Sequence, residues 1–470
     1  MTIQARPQTE VARSRPCSMR YLALLLLALS GAALAVRPLG AQAPLTLRQA
    51  LERADSGAYA NRAAAGESKA RSGAALAPLE GILPTARFEG GYARTTDPLG
   101  AFGFTLRQRA VTPASFAPAV LNDPPATGNM MTGVVVELPL LNADAWRGRQ
   151  AAVEAREAAR SAELWTRTVT AVEVARGYWG AILATERVRT LEAALVAARS
   201  HQREAESLEE RGMVTRSDAL LASVKAGEVE ATLIGARSEA RVAKFGLAML
   251  MGEPGDTAFT LPDSLPSAER VSAVAGQAPD TSAATARADV VAAGHESAAM
   301  AADRRRARAL YLPRLNSFGR LEWNTAETPF GGKSAWTVGI ILSWSPFSGA
   351  RELSEGRVAD GNAMAAGSRR EAAEAQAALE LERAGAGLAV ALSRLEIAQV
   401  AGAQAREAHR IVSRKYDGGL ATVTELFDAA AIDTDSQLRD VTARYDVLIA
   451  LAEVRKAQGL DLSPLQDLES

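Results

Sequence analysis

Two rulers alternate along this chain, one stepping by three or four residues and one by two. Leu388, Ala391, Leu395, Ala398, Gly402, Ala405, His409, Val412 and Tyr416 advance by alternating threes and fours, and Val188, Leu191, Leu195, Ala198, Gln202 and Ala205 do the same earlier. A mean step of about 3.5 is the seam of a coiled coil, where small residues let helices approach closely. No proline interrupts 142–211 or 347–418, so each stretch predicts one unbroken helix of roughly 70 residues, on the order of 100 Å long.

The second ruler appears at Trp336, Val338, Ile340, Leu342 and Trp344, which alternate with Thr337, Gly339, Ile341, Ser343 and Ser345. Period two with one strongly apolar face predicts a strand. Between its bounding tryptophans lie roughly 27 Å of strand, and outer-membrane barrels carry an apolar band about 25 Å tall edged by aromatics. Leu321 and Trp323 against Arg320, Glu322 and Asn324 suggest a partner strand with a polar opposite face, interrupted by Phe318. Phe88 and Tyr92 against Arg87 and Glu89 repeat the pattern more weakly. Taken alone, these strands also fit an ordinary sandwich pair.

Both rulers occur twice in the same order. Leu83-Pro84 and Leu312-Pro313 each open an alternating stretch, and Val134–Pro139 (VVVELP) is echoed by Ile341–Pro346 (ILSWSP). Gly212-Met213-Val214-Thr215 is echoed by Gly419-Leu420-Ala421-Thr422, and the spacing from Pro139 to Gly212 equals that from Pro346 to Gly419, 73 residues. Such agreement marks a duplication. The expected organisation is a signal peptide at 1–43, a first repeat at 44–252, a linker or equatorial segment at 253–280, a second repeat at 281–459 and a C-terminal tail at 460–470. Within each repeat a helix after the glycine turn, about 215–251 or 422–458, is too short to cover the long one. A helix before the strands, about 46–79 or 281–310, makes up the difference.

Two strands per repeat give four per chain. Four cannot close a barrel, and open edges are not tolerated in lipid, so chains must pool strands: eight from two or twelve from three. The proline-rich segment 96–130 lengthens the first hairpin, and in such barrels long loops lie on the outer side of the cell. It reads either as a cover for the mouth or as a plain disordered loop.

Composition narrows the function. Arg6, Arg13, Arg15 and Arg20 precede a 16-residue apolar run at 21–36, short for a spanning helix, which needs about 20 residues. Small residues follow at Ala41 and Ala43, giving a secretory signal with cleavage after either one. The lone cysteine, Cys17, leaves with it. With 53 Lys+Arg against 54 Asp+Glu, nothing in the bulk charge attracts nucleic acid. Aromatics are only 5% of a chain that is 48% hydrophobic, which favours long helices meeting along narrow seams over one thick core. No phosphate-binding glycine loop, dinucleotide fingerprint, Ser-His-Asp set or metal-ligand spacing is present, so no catalytic residue, cofactor or metal is expected. His201, His295 and His409 read as isolated surface or seam residues.

The duplication, the Leu-Pro strand entries and the two tip segments, Glu209–Leu220 (EERGMVTRSDAL) and Tyr416–Leu426 (YDGGLATVTEL), together resemble the TolC-type outer-membrane efflux proteins, over nearly the whole mature chain. The resemblance implies a mainly α fold with a membrane β-barrel portion. Duplicated helical hairpins would form a trimeric α-barrel in the periplasm, and four strands per chain would form a 12-stranded barrel in outer-membrane lipid. Its implied partners are two further copies of the chain, a periplasmic adaptor and an inner-membrane pump of RND or ABC type. Carried over by position, Gly212, Met213, Val214 and Thr215 with Gly419, Leu420, Ala421 and Thr422 match adaptor-docking tips. Glu425 and Asp428, one helical turn apart, match acids that ring the narrow periplasmic end. Ala421 stands where some relatives carry a basic latch residue. Trp323, Trp336 and Trp344 are the expected membrane girdle. The resulting expectation is a passive exit duct. A secreted trimeric coiled-coil or adhesin-like protein anchored by a small barrel is the rival, and a soluble periplasmic helical enzyme a third class.

Overall fold

The computed structural model describes residues 44–255, 257–276, 287–466 and 468. The expected signal peptide, 1–43, and the start of the second repeat, 281–286, lie outside the described residues. In order the elements are α1 (Leu47–Gly57), α2 (Tyr59–Ala74), β1 (Thr85–Thr95), α3 (Pro98–Arg107), α4 (Pro118–Asn122), β2 (Thr127–Leu141), α5 (Ala143–Glu210) and α6 (Arg216–Leu250). There follow α7 (Ala268–Gly276), α8 (Ala288–Ala309), β3 (Arg314–Thr325), β4 (Ser334–Ser343), α9 (Arg351–Asp417), α10 (Val423–Ala457) and α11 (Ser463–Gln466).

The two proline-free stretches form single helices of 68 and 67 residues, α5 and α9. Their 3-4 seams are the faces that pack: Leu191, Leu195, Ala198 and Ala205 on α5, and Leu388, Ala391, Leu395, Gly402, Ala405 and Tyr416 on α9, are buried. α6 lies on α5, α10 on α9, and α8 runs between α5 and α9. A second set of large apolar residues faces outward, Leu220, Val224, Ile234 and Val242 on α6 and Leu353, Val358, Met364, Val390 and Ile397 on α9. Among the described residues nothing covers them. Among the described residues only α9 is long and apolar enough to cross a bilayer, yet at about 100 Å it is some three times a bilayer core.

Where sequence suggests one helix at 46–79 there are two. Ala58 takes ψ 133°, and the Asn61 side chain donates to the carbonyls of Ala54 and Asp55 at 3.1 and 3.3 Å, satisfying acceptors that the break releases. The break makes room for the end of α6. A Cβ on Gly57 would stand 2.3 Å from the Met251 oxygen, and one on Gly252 (φ +79°) would stand 2.0 Å from the Gly57 oxygen. α6 and α2 thus stack end to end along α5.

A thick core exists at this level, contrary to the expectation from composition. Leu47, Val172, Tyr178, Trp179, Ile182, Leu247, Met251, Val271, Leu448, Leu451 and Leu465 form one cluster. Here α1, α5, α6, α7, α10 and α11 converge, so the few large side chains are concentrated where many elements meet. Residues 460–466, expected as a tail, join it through Leu462 and Leu465, as does Leu468. The expected linker likewise contributes a packed helix, α7, through Val271 and Ala275.

The strands form one antiparallel sheet, β1-β2-β3-β4. Its register puts Phe88, Val134, Leu321 and Trp336 in a single row on one face, and Arg87, Val135, Arg320 and Thr337 in the next row on the other. On the first face Trp336, Val338, Ile340 and Leu342 are 66–73% exposed. The opposite face pairs Arg87 with Glu137 and, at 4.0 Å, Arg320 with Glu89. Phe318, which interrupts the polar alternation, lies across Gly339, where a Cβ would sit 2.7 Å from its ring. The glycine opens the space that the aromatic fills.

Candidate functional site

The ends of the two hairpins have the same backbone. At the first, Gly212 takes φ +72° and the amides of Gly212 and Met213 bond the carbonyls of Glu209 and Leu208, both at 2.8 Å. At the second, Gly419 takes φ +72° and the amides of Gly419 and Leu420 bond Tyr416 and Lys415 at 2.9 and 2.7 Å. This double bond closes a helix around a left-handed residue, a conformation that glycine adopts without a Cβ penalty. Thr215 and Thr422 then cap the returning helices. Each accepts from the amide three residues on, at 3.3 and 3.2 Å, while the acid there, Asp218 or Glu425, accepts from the threonine amide at 3.1 or 2.7 Å.

These reciprocal caps fix what each tip presents. Met213 and Leu420 are 69% and 80% exposed, whereas Val214 and Ala421 are half-buried. Ala205, Ala222, Tyr416, Val423, Leu426 and Phe427 form one cluster behind them, so both tips are held at the same end of the rods.

Glu425 and Asp428 occupy different surroundings despite sharing α10. The Thr422 amide and then its hydroxyl hold the Glu425 carboxyl below the usual carboxylate range; its first partner is the cap. Asp428 is exposed and lines a cleft of about 450 Å³ between the hairpins with His201, His409, Phe427 and Asp433. In that cleft His409 Nδ1 lies 3.0 Å from Asp433, and the Gln437 amide donates to Asp433 at 3.0 Å. His201 packs edge-on to Phe427, and burial pushes its pKa down. Sequence reading set these histidines aside. The available signal was His409 at a seam position, because a polar group in a seam requires a partner across it.

Sequence reading also missed an ionic tie at mid-height. Arg444 of α10, with 11% of its side chain exposed, bonds Glu186 of α5 at 2.7 Å and Asp440 at 3.1 Å. It also donates to the carbonyls of Leu265 and Pro266, while the Leu265 amide donates to Glu186 at 2.9 Å. A second buried cation, Arg287, pairs with Asp289 and Glu380 and stacks on Trp165 at 4.6 Å. The contacts to Glu186, Leu265, Glu380 and Trp165 join residues distant in sequence and leave no periodic trace.

Of the expected girdle, Trp336 and Trp344 are 73% and 60% exposed. Trp323, on the same face, packs edge-on to Phe330 at 5.6 Å. Trp344 lies just beyond β4 and donates to the Tyr311 carbonyl at 3.2 Å. Among the described residues no cluster of His, Cys, Asp or Glu could hold a metal ion.

A sheet with one apolar face and one charged face, continued by rods far longer than a bilayer is thick, is the architecture of an outer-membrane channel with a periplasmic extension. Residues 63–253 and 281–460 match the outer membrane efflux protein family, and the chain belongs to it. It is therefore an outer-membrane channel reaching into the periplasm, of the efflux class, and not an enzyme. No curated protein matches by sequence. The fold is similar to the outer membrane protein VceC of Vibrio cholerae, at 19% identity and TM-score 0.73, covering 88% of this chain and 96% of that one. It is also similar to the CmeC channel of Campylobacter jejuni, at 14% identity and TM-score 0.72, covering 96% and 94%. The open state of the MtrE channel of Neisseria gonorrhoeae aligns at 18% identity and TM-score 0.68, covering 89% and 90%.

Proposed function

We propose that three copies of this chain form the exit duct of a tripartite efflux or type I secretion system. It passively conducts substrates from the periplasm, or from an inner-membrane pump of RND or ABC type, to the exterior. Three sheets supply twelve strands, and three sets of hairpins supply the periplasmic tunnel. In this reading 44–252 and 281–459 are two copies of one unit that alternate around the axis. The girdle of Trp323, Trp336 and Trp344 sits at the lipid boundaries. Gly212, Met213, Val214 and Thr215, with Gly419, Leu420, Ala421 and Thr422, meet a periplasmic adaptor. Asp428, with Glu425 one turn before it, lines the narrow end, where carboxylates from several chains repel one another and favour cations.

One observation carries this reading: one face of the sheet is apolar and exposed, but among the described residues its edges, β1 and β4, have no further strand. In hydrocarbon each unpaired backbone group costs several kcal/mol, so the edges must be closed by other copies. Reconstitution of the mature chain in planar bilayers tests it. Stable single-channel steps are expected, with cation preference reduced in Asp428→Asn, a change that leaves the Thr422–Glu425 cap intact. A folded preparation that inserts and never conducts would refute the duct and favour a mere anchor.

A further inference from the structure

The insertion in the first hairpin, residues 96–126, lies against the inner face of the sheet. Asn129 and Asn324 belong to the charged face by register, yet both are 3% exposed. Lower on the same face the side chains of Arg87 and Glu137 are 60% and 48% exposed. The difference is α3, which packs across β1, β2 and β3 with its own Ala101 buried. A polar clasp holds it there. Gln108 donates to the Asn129 side chain at 3.0 Å and to the Gly128 carbonyl at 2.7 Å, and Asn129 donates to Asn324 at 2.8 Å. Arg109 donates to the Ser334 carbonyl at 3.2 Å while its backbone takes φ +54°, a strained position for a side chain with a Cβ that persists where the surroundings enforce it. The other distal loop takes the opposite side: Phe330 stacks on Phe88 at 5.5 Å on the apolar face.

The insertion presents apolar groups to open space. Leu99 is 83% exposed, Leu106 50% and Phe116 58%, with Phe116 edge-on to Phe102 at 5.7 Å. On the lipid side such residues need no explanation, but on the charged inner face they do. We propose that residues 96–126 form an inward collar at the distal mouth of the pore, a second constriction at the end away from the tips, which selects for amphipathic organic solutes over small hydrated ions. An apolar constriction hinders hydrated ions because its water empties easily, while it offers contact to the apolar parts of a larger solute. The proposal rests on the duct reading, since a collar needs a closed barrel to narrow.

The chain holds no cysteine besides Cys17, so one introduced thiol reports on its own position. In planar bilayers, Leu99→Cys treated with a charged methanethiosulfonate should lose current by about twofold, reversibly with reductant, as expected for a group in the conduction path. Val338→Cys, on the lipid face, should conduct unchanged after the same treatment. Gln108→Ala with Asn129→Ala, which opens the clasp, should raise ion conductance. Complete modification of Leu99→Cys, verified by mass, with unchanged current overturns the collar while leaving the duct standing. Absence of any channel in the unsubstituted chain overturns the duct and the collar with it.

Discussion

Replacing Arg444 with methionine keeps an unbranched stem and removes the guanidinium. That group bonds Glu186 at 2.7 Å, Asp440 at 3.1 Å, and the Leu265 and Pro266 carbonyls at 3.3 and 3.4 Å. Afterwards Glu186, whose side chain is 14% exposed, keeps only the Leu265 amide. Breaking one member out of a buried, hydrogen-bonded ion pair costs about 3–5 kcal/mol. Since about 1.4 kcal/mol is tenfold in an equilibrium constant, the lower end corresponds to roughly 100-fold. The penalty falls on the segment tied by this knot, residues 257–276, which can open without unfolding the rods. Hydrogen exchange read by mass spectrometry on peptides spanning 265–276 should accelerate by about 100-fold in Arg444→Met, with the β2 and β3 peptides unchanged. Combining Arg444→Met with Glu186→Leu removes the stranded carboxylate and should recover most of the protection, since a buried pair replaced whole by apolar groups is often neutral. Exchange within about threefold of the parent in the single variant, or no recovery in the double, refutes the assignment of this knot as the fastening of the segment.

Three further outcomes follow from the geometry. Ile340→Lys places a cation on the most apolar part of the lipid face and should destabilise the folded sheet by about 2–4 kcal/mol, read by urea titration of the protein folded into vesicles; Thr337→Lys, on the inner face, should not. Met213→Glu with Leu420→Glu should abolish capture of the adaptor in pull-down while single-channel conductance is retained; undiminished capture argues against docking at the tips. The Glu425 carboxyl has a depressed pKa because the folded cap bonds its charged form, so its contribution is complete above the ordinary carboxylate range and fades as pH falls through the lowered value. Hydrogen-exchange protection at Leu426 and Phe427, after correction for the intrinsic rate, should therefore be flat near neutrality and decline in acid, and Glu425→Gln should flatten that decline.

What the sequence disclosed was whatever repeats at a fixed step. The 3-4 seams on α5 and α9 pack as read, residue by residue, because burial in a coiled coil follows the same period that composition writes. The Trp336-to-Trp344 alternation likewise reads out the exposed apolar face of the sheet. Sequence reading took Thr422 as a tip residue and Glu425 as an acid ringing a passage, without noticing that a threonine three residues before an acid makes a reciprocal helix cap. The break at Ala58 was hidden because its causes are Asn61, reaching back to carbonyls, and Gly252, which meets Gly57 from almost 200 residues away. The equatorial core and the Arg444 knot escaped for that reason too: aromatic and ionic contacts between distant segments have no period. Residues 96–126 offered prolines and no pattern, and their place on the inner face became visible only once the register of Asn129 with Asn324 was known.

The outward apolar stripes of α6 and α9 have a consequence for biogenesis. A protomer released singly into the periplasm would show water many large aliphatic groups along a rod about 100 Å long, so the proposed three-copy assembly couples maturation to association. A copy damaged on a stripe, for example by Ile397→Asp, should still be recruited through its intact flank and spoil the complex it enters. Co-expression with the parental gene would then depress export more steeply than the share of faulty copies, a dominant-negative signature arising from shape alone.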